Sequence, residues 1–246
     1  MPTTLQNLID SVNEDVHEGS FSPTVILRYL NEAVYRECAS KLQLPGLAQT
    51  SSITTDPLNE WVSMPLDYHR ELQFVQSAAT SMRVWVEKSF IKFMRYYPTL
   101  YNTSGSPYLT GNVERVSIRS LGGNILYYQP VPEPADTLTL YYFRLPVPMS
   151  LSNTDANGNY TDLPDGIPDE FADGVCAGYA KWKLWKKIEQ DETKANNAGI
   201  YHAEFLDAWM GLKEFLGPPD EEAAYVGDEL FYCTLGAPLF GPPWGA

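Results

Sequence analysis

LPDGIPDEFADGVCAGYAKWKLWKKIEQDETKANNAGIYHAEFLDAWMGLKEFL, residues 163–216, is the stretch whose reading decides the fold. Phe171, Val175, Gly178, Trp182 and Trp185 recur at spacings of four, three, four and three, which places them on one stripe of a helix. Pro168 suits a first helical turn, and Asp169, Glu170 and Asp173 lie where the helix dipole is positive. Lys186 and Lys187 lie toward the opposite end. After a break at Asp191–Thr193, Tyr201, Phe205, Ala208, Leu212 and Phe215 repeat the spacing until Gly217-Pro218-Pro219 stops the helix. Two amphipathic helices with a short link predict an antiparallel hairpin with an aromatic seam. Each such side chain contributes roughly 1.5–3 kcal/mol when buried.

The 246 residues carry 44% hydrophobic side chains, enough for a sizeable core. The 17 basic and 31 acidic residues leave a net charge of −14. That balance argues against a protein that binds nucleic acid by neutralising phosphates, and against docking on anionic lipid. The imbalance is local: Lys and Arg are absent before Arg28 and after Lys213. Cys38, Cys176 and Cys233 are odd in number and widely spaced, so reduced thiols are expected, with no disulfide framework and no zinc. The chain opens without the basic stretch and long apolar run of a secretory signal, and no run of eighteen apolar residues predicts a membrane span.

Leu5, Leu8, Ile9, Val12 and Val16 mark a first helix, with Thr4 as N-cap. Ser22 caps a second, with Pro23 at its first position and Leu27, Leu30, Val34 and Cys38 as its stripe. Glu32 and Arg36 form a favourable i,i+4 pair, and Pro45-Gly46 ends the helix. From Ile53 to Met149 the texture changes. Segments beginning at Trp61, Leu72, Met82, Val113, Asn124 and Thr137 are short, alternating and rich in β-branched and aromatic residues, the signature of strands. A helical stretch, Ser89–Tyr97, interrupts them, and residues 102–110 read as a loop.

The fold expected is α+β: a helical bundle of two N-terminal helices and the C-terminal hairpin, with an inserted antiparallel β domain and an extended C-terminal arm. The expected divisions are 1–46, 47–150, 151–216 and 217–246. The arm holds five prolines with Tyr225, Val226, Leu230, Phe231, Tyr232, Leu235, Leu239, Phe240 and Trp244, too apolar for a solvated linker. Its natural place is a groove, on a partner or on the chain's own β region.

Catalytic and metal-binding patterns are sparse. His17, His69 and His202 are isolated, and neither a phosphate loop nor a dinucleotide fingerprint occurs. Asp155, Asn157 and Asn159 start like a calcium loop, but Tyr160 and Gly166 stand where glycine and glutamate are needed. A turn is expected there, no metal or cofactor is expected anywhere, and no enzymatic activity is expected. Lys181, Lys183, Lys186 and Lys187, interleaved with Trp182 and Trp185, form the basic cluster. It reads as a solvated helix face, as a subunit interface for acidic arms, or as a nucleic-acid site.

The order of segments resembles the head-to-tail adaptor (connector, or head-completion) proteins of tailed bacteriophages. The features are the helix Pro23–Ala33 with Leu30-Asn31-Glu32-Ala33, the turn Met64-Pro-Leu-Asp-Tyr68, Gly105-Ser-Pro-Tyr108, the strands Ile125–Pro132 and Leu138–Tyr142, and Leu163-Pro164 leading to Phe171. The resemblance implies a virion protein, assembled in the host cytoplasm, that forms a ring, commonly dodecameric, at the head–tail junction. It would bind the portal and a tail or nozzle protein, and viral DNA would pass without specific binding. A negative lumen suits that passage. The acidic aromatic arm departs from the family's pattern; from its own composition, partner binding is expected there, through Tyr225, Leu230, Phe231, Tyr232, Phe240 and Trp244, with Asp228 and Glu229 meeting basic residues. The alternative expectation is a carbohydrate- or receptor-binding virion module, with Tyr96, Tyr97 and Tyr101 stacking on sugars.

Overall fold

The structure is a computed structural model, and it describes residues 3–16, 21–96, 110–119, 124–191 and 196–217. Helix α1, Leu5–Asp15, starts at Thr4, whose hydroxyl accepts from the Asn7 N–H. Its Leu5, Leu8, Ile9 and Val12 are buried. Helix α2, Pro23–Glu32, continues as a π-helical segment, Ala33–Ala39. Ser22 stands at the N-cap position of α2, where its carbonyl rather than its side chain accepts from the first turn. The helix ends in a turn at Ser40–Leu42, ahead of Pro45-Gly46. Helix α4, Asp169–Ala172, passes through a π-helical turn, Asp173–Ala177, into α5, Gly178–Asp191. Helix α6, Asn197–Leu216, returns antiparallel and stops at Gly217, whose φ of +75° suits glycine. The hairpin is as expected. Its helices approach so closely that a Cβ on Gly174 would lie 2.8 Å from that of Ala208, and one on Gly178 would meet the Phe205 backbone at 3.5 Å.

Helix α5, with the π-helical turn that leads into it, is more than one half of a hairpin. Val175, Cys176, Ala177, Tyr179, Ala180 and Leu184 are all buried, because α1 and α2 cover the sides that α6 leaves open. A helix covered all round shows no single stripe. The inserted π turn also shifts Phe171 out of phase with α5. Phe171 and Trp182 are only partly buried, whereas Trp185 is 7% exposed.

The sheet corrects the expected architecture. Strands β1 Ala48–Thr54, β2 Trp61–Ser63, β3 Tyr68–Ser77, β4 Arg83–Val86, β5 Arg115–Arg119, β6 Ile125–Gln129 and β7 Thr137–Arg144 form one seven-stranded sheet in the order β1-β7-β3-β4-β5-β6-β2. It is mixed, not antiparallel: β4 and β5 run parallel, Trp85 opposite Arg115. The crossover between them carries α3, Phe90–Tyr96, which the sequence shows only as an interruption. Parallel neighbours need such a connection. The sheet is also curled. Six gaps of about 4.8 Å would hold the edge strands of a flat sheet about 29 Å apart. The seven chain steps from Thr54 to Trp61 span at most about 25 Å. Curling brings the edges nearer, and Tyr128 of β6 ties down the segment that follows β1: its hydroxyl accepts from Asp56 N–H at 2.8 Å and donates to Asp56 O at 3.0 Å. The result is a mixed α/β protein with a half-barrel sheet as large a feature as its helices, rather than a helical bundle with an inserted β domain.

Leu72, Val75, Val84, Val116, Leu126, Tyr128, Leu138, Leu140 and Tyr142 pack together in the sheet's own core. Phe143, on the opposite side of β7, enters the helical core with Met149. Several resemblance-bearing motifs act at this junction. Asn31 pairs with the Met149 backbone twice, Nδ2 to O at 3.0 Å and N–H to Oδ1 at 2.9 Å. Asp67 accepts from the Tyr142 hydroxyl at 2.7 Å and, through its carbonyl, from Leu145 N–H at 2.7 Å. Arg144 grips Asp165 with both terminal nitrogens, at 2.6 and 2.9 Å. Arg70 donates to the carbonyls of Ser40 and Leu42, tying β3 to the end of the second helix.

Candidate interaction surfaces

The end of the sheet remote from the helices is organised by Asp136, which is 4% exposed. Its carboxylate accepts from Ser77 Oγ at 2.6 Å and Ala79 N–H at 2.9 Å. Its backbone exchanges hydrogen bonds with Thr55. The end of β1, the β3–β4 turn and the start of β7 therefore meet at one carboxylate. Two turns there present apolar side chains to solvent: Leu58, 78% exposed, and Met82, 70% exposed. Ser81, just before Met82, holds φ of +56°, a conformation that costs a non-glycine residue roughly 1 kcal/mol. Strand β7 has eight residues, so at about 3.4 Å each this surface lies roughly 25 Å from the Phe143 end.

The second surface is on the helical hairpin. Trp182 stacks on His202, ring centroids 4.2 Å apart at 27°. Lys183 Nζ lies 4.3 Å, and Lys186 Nζ 5.9 Å, from the Trp182 ring centre. Trp209 donates its indole N–H to Glu37 O at 2.9 Å, and Lys213 Nζ lies 5.9 Å from its ring. Ile200, Leu206, Met210 and Phe215 are exposed along α6, from 40 to 60%.

The four lysines of the basic cluster part company. Lys181 is buried and committed within the chain, pairing with Asp15 at 2.7 Å and donating to Ser11 Oγ at 3.0 Å. Lys187 lies over Phe21, 5.9 Å from its ring centre. Lys183 and Lys186 remain around Trp182. The spacing of four lysines in seven residues could not separate them, because the partners of Lys181 come from α1. The arm residues Tyr225, Asp228, Glu229, Leu230, Phe231, Tyr232, Phe240 and Trp244 lie outside the described residues, as do His17, Tyr97, Tyr101 and Cys233. Tyr96 is 57% exposed, but Arg115 covers its ring at 4.1 Å.

Several other titratable groups among the described residues have structural surroundings. Burial pushes the Cys38 thiol up to about 12, with Glu37 adding to the shift, and raises Cys176 well above the ordinary thiol range. Burial, then Glu32, raises Tyr179, whose hydroxyl donates to Glu32 at 3.1 Å. Asp155 accepts from the N–H groups of Asn157 and Asn159, forming the expected turn, and these bonds hold its carboxyl below the usual range. Among the described residues, no group of three or more His, Cys, Asp or Glu is placed to hold a metal, and no helix is long and apolar enough to cross a membrane.

Exposed apolar side chains on the far end of the sheet and on the helical hairpin suit a structural protein that works by contact with partners. Residues 3–223 match the model of the SU10 adaptor protein family, and the chain belongs to that family. It is thus a bacteriophage structural adaptor and a virion component, of a kind that binds portal and tail proteins in general. No curated protein matches the chain.

Proposed function

We propose that the chain forms a closed ring, dodecameric as the resemblance implies, at the head–tail junction, joining the portal to the tail and continuing the DNA channel. Its role there is structural and non-catalytic. The observation that carries the reading is that, in a chain of this family, Leu58 and Met82 are exposed at the end of the sheet remote from the helices while Ile200, Met210 and Phe215 are exposed on the helical hairpin. An adaptor needs two such surfaces facing different partners. The net charge of −14 favours passage of DNA without adhesion. The distal part of the arm, with Leu230, Phe231, Tyr232, Phe240 and Trp244, anchors on the portal or a neighbouring subunit, its prolines reducing the entropy lost on ordering.

Native mass measurement of the full chain with and without purified portal tests this. A discrete portal complex with equal copies of the chain around the ring is expected. Binding of a single copy per portal, or none, refutes the ring.

A further inference from the structure

His202, Leu206, Trp209 and Lys213 follow one another at spacings of four, three and four, so they form a single stripe along α6. Trp182 stacks on the first of them and brings Lys183 and Lys186 to the same face. This face is cationic and aromatic in a chain of net charge −14. Glu37, whose carbonyl accepts from Trp209, is already paired through its carboxylate with Lys41, and Glu32 with Arg36. On the other side of Met210, α6 carries Asp207 and Glu214. The face is therefore shaped for an acidic, apolar segment, held to the lysine side by repulsion from the other.

We propose that this face is occupied by the proximal arm of the same chain, Asp220–Glu229, which folds back along α6. Three observations support the assignment. The arm begins at Gly217, four residues beyond Lys213, so its effective concentration at the face is high. It carries Asp220, Glu221, Glu222, Asp228 and Glu229 with no Lys or Arg. The spacing also matches. From Lys213 to His202 the helix rises about 17 Å, eleven steps of about 1.5 Å. From Glu222 to Asp228 an extended chain covers about 20 Å, six steps of about 3.3 Å. With Glu222 at Lys213, Tyr225 falls beside Leu206 and Trp209, and Asp228 and Glu229 fall at Lys183 and Lys186. The five steps from Gly217 to Glu222 leave room for the reversal. The distal arm would then leave the subunit from the tip of the hairpin rather than its base, which sets where its partner must lie.

Zero-length carbodiimide coupling of the full chain, using an equal mixture of unlabelled and 15N-labelled protein, tests the contact. Amide links are expected from Lys213 to Glu221 or Glu222, and from Lys183 or Lys186 to Asp228 or Glu229, always within one isotope class. The variants Leu206→Asp and Lys183→Glu/Lys186→Glu should each speed chymotryptic cleavage at Tyr225 by about tenfold, a loss of about 1.4 kcal/mol of docking, with the melting temperature of the folded part unchanged. Links between isotope classes would assign the arm to a second copy. Submicromolar oligonucleotide binding that is lost in the double lysine variant would assign the face to nucleic acid. Either result overturns the proposal, as does cleavage indifferent to both variants. None of these outcomes depends on the portal, so the ring reading stands or falls separately.

Discussion

Replacing Asp136 by alanine removes one carboxylate and strands two donors, Ser77 Oγ and Ala79 N–H, of which Ser77 is fully buried. Hydrogen bonds to a charged group contribute about 1.5–3 kcal/mol each. Ser77 keeps one bond, because its Oγ still accepts from Thr80 N–H at 3.2 Å. The backbone bonds between Thr55 and residue 136 survive the substitution. The expected loss is therefore ~3–5 kcal/mol, and for a chain of this size each kcal/mol lowers the midpoint by about 2–4 °C. A fall of roughly 10 °C follows. Asp136→Asn keeps an acceptor for Ala79 N–H and should lose about half as much. Urea unfolding followed by circular dichroism measures both. Hydrogen exchange should show the β3–β4 turn and the end of β1 opening first in the alanine variant. A loss below ~1 kcal/mol, or exchange that accelerates uniformly, would refute the role given to this carboxylate as the tie between three segments.

Three further outcomes are expected. Trp185→Ala should cost ~3–5 kcal/mol, because the side chain is 7% exposed, whereas the half-buried Trp182→Ala should cost ~1.5–3 kcal/mol; equal losses in urea melts would contradict this. Asn31→Ala removes both bonds to Met149 and should cost ~1–3 kcal/mol, with proteolysis of the segment after Leu145 accelerating before global unfolding; an unchanged digestion pattern would count against the clamp. Burial raises the Tyr128 and Tyr142 hydroxyls from about 10 to about 12. The unfolded chain therefore releases these protons first, so this stabilisation is complete below pH 10 and lost as the pH rises to 12. Tyrosinate absorbance for these two residues should appear only together with loss of circular dichroism, and reversible ionisation near pH 10 in a folded protein would refute it.

The helices were legible because each buries a face that repeats along its own sequence. Thr4, Asp169, Glu170 and Gly217 mark their ends by local chemistry that needs no distant partner. Six strands were legible for the same reason, since alternation is local. Strand β1 was not: AQTSSIT has a polar start and an edge position, so nothing in it alternates until Ile53. The arm's composition marked it as partner-seeking, yet its partner is a matter of what lies within reach.

What the chain alone determined is thus the inventory of elements apart from β1, the acidic character and the family-bearing order of motifs. Only the tertiary structure decided how they combine. The parallel β4–β5 pair and the curl arise from contacts between residues far apart in the chain, as where Tyr128 meets Asp56. The roles of Asn31, Asp67 and Asp136 depend on segments that lie from 57 to 118 residues away. Lys181 and Lys183 look alike in sequence, and differ because α1 places Asp15 beside one and Trp182 offers its ring to the other. Periodicity records which side of an element is buried; which neighbour buries it is settled when the elements pack.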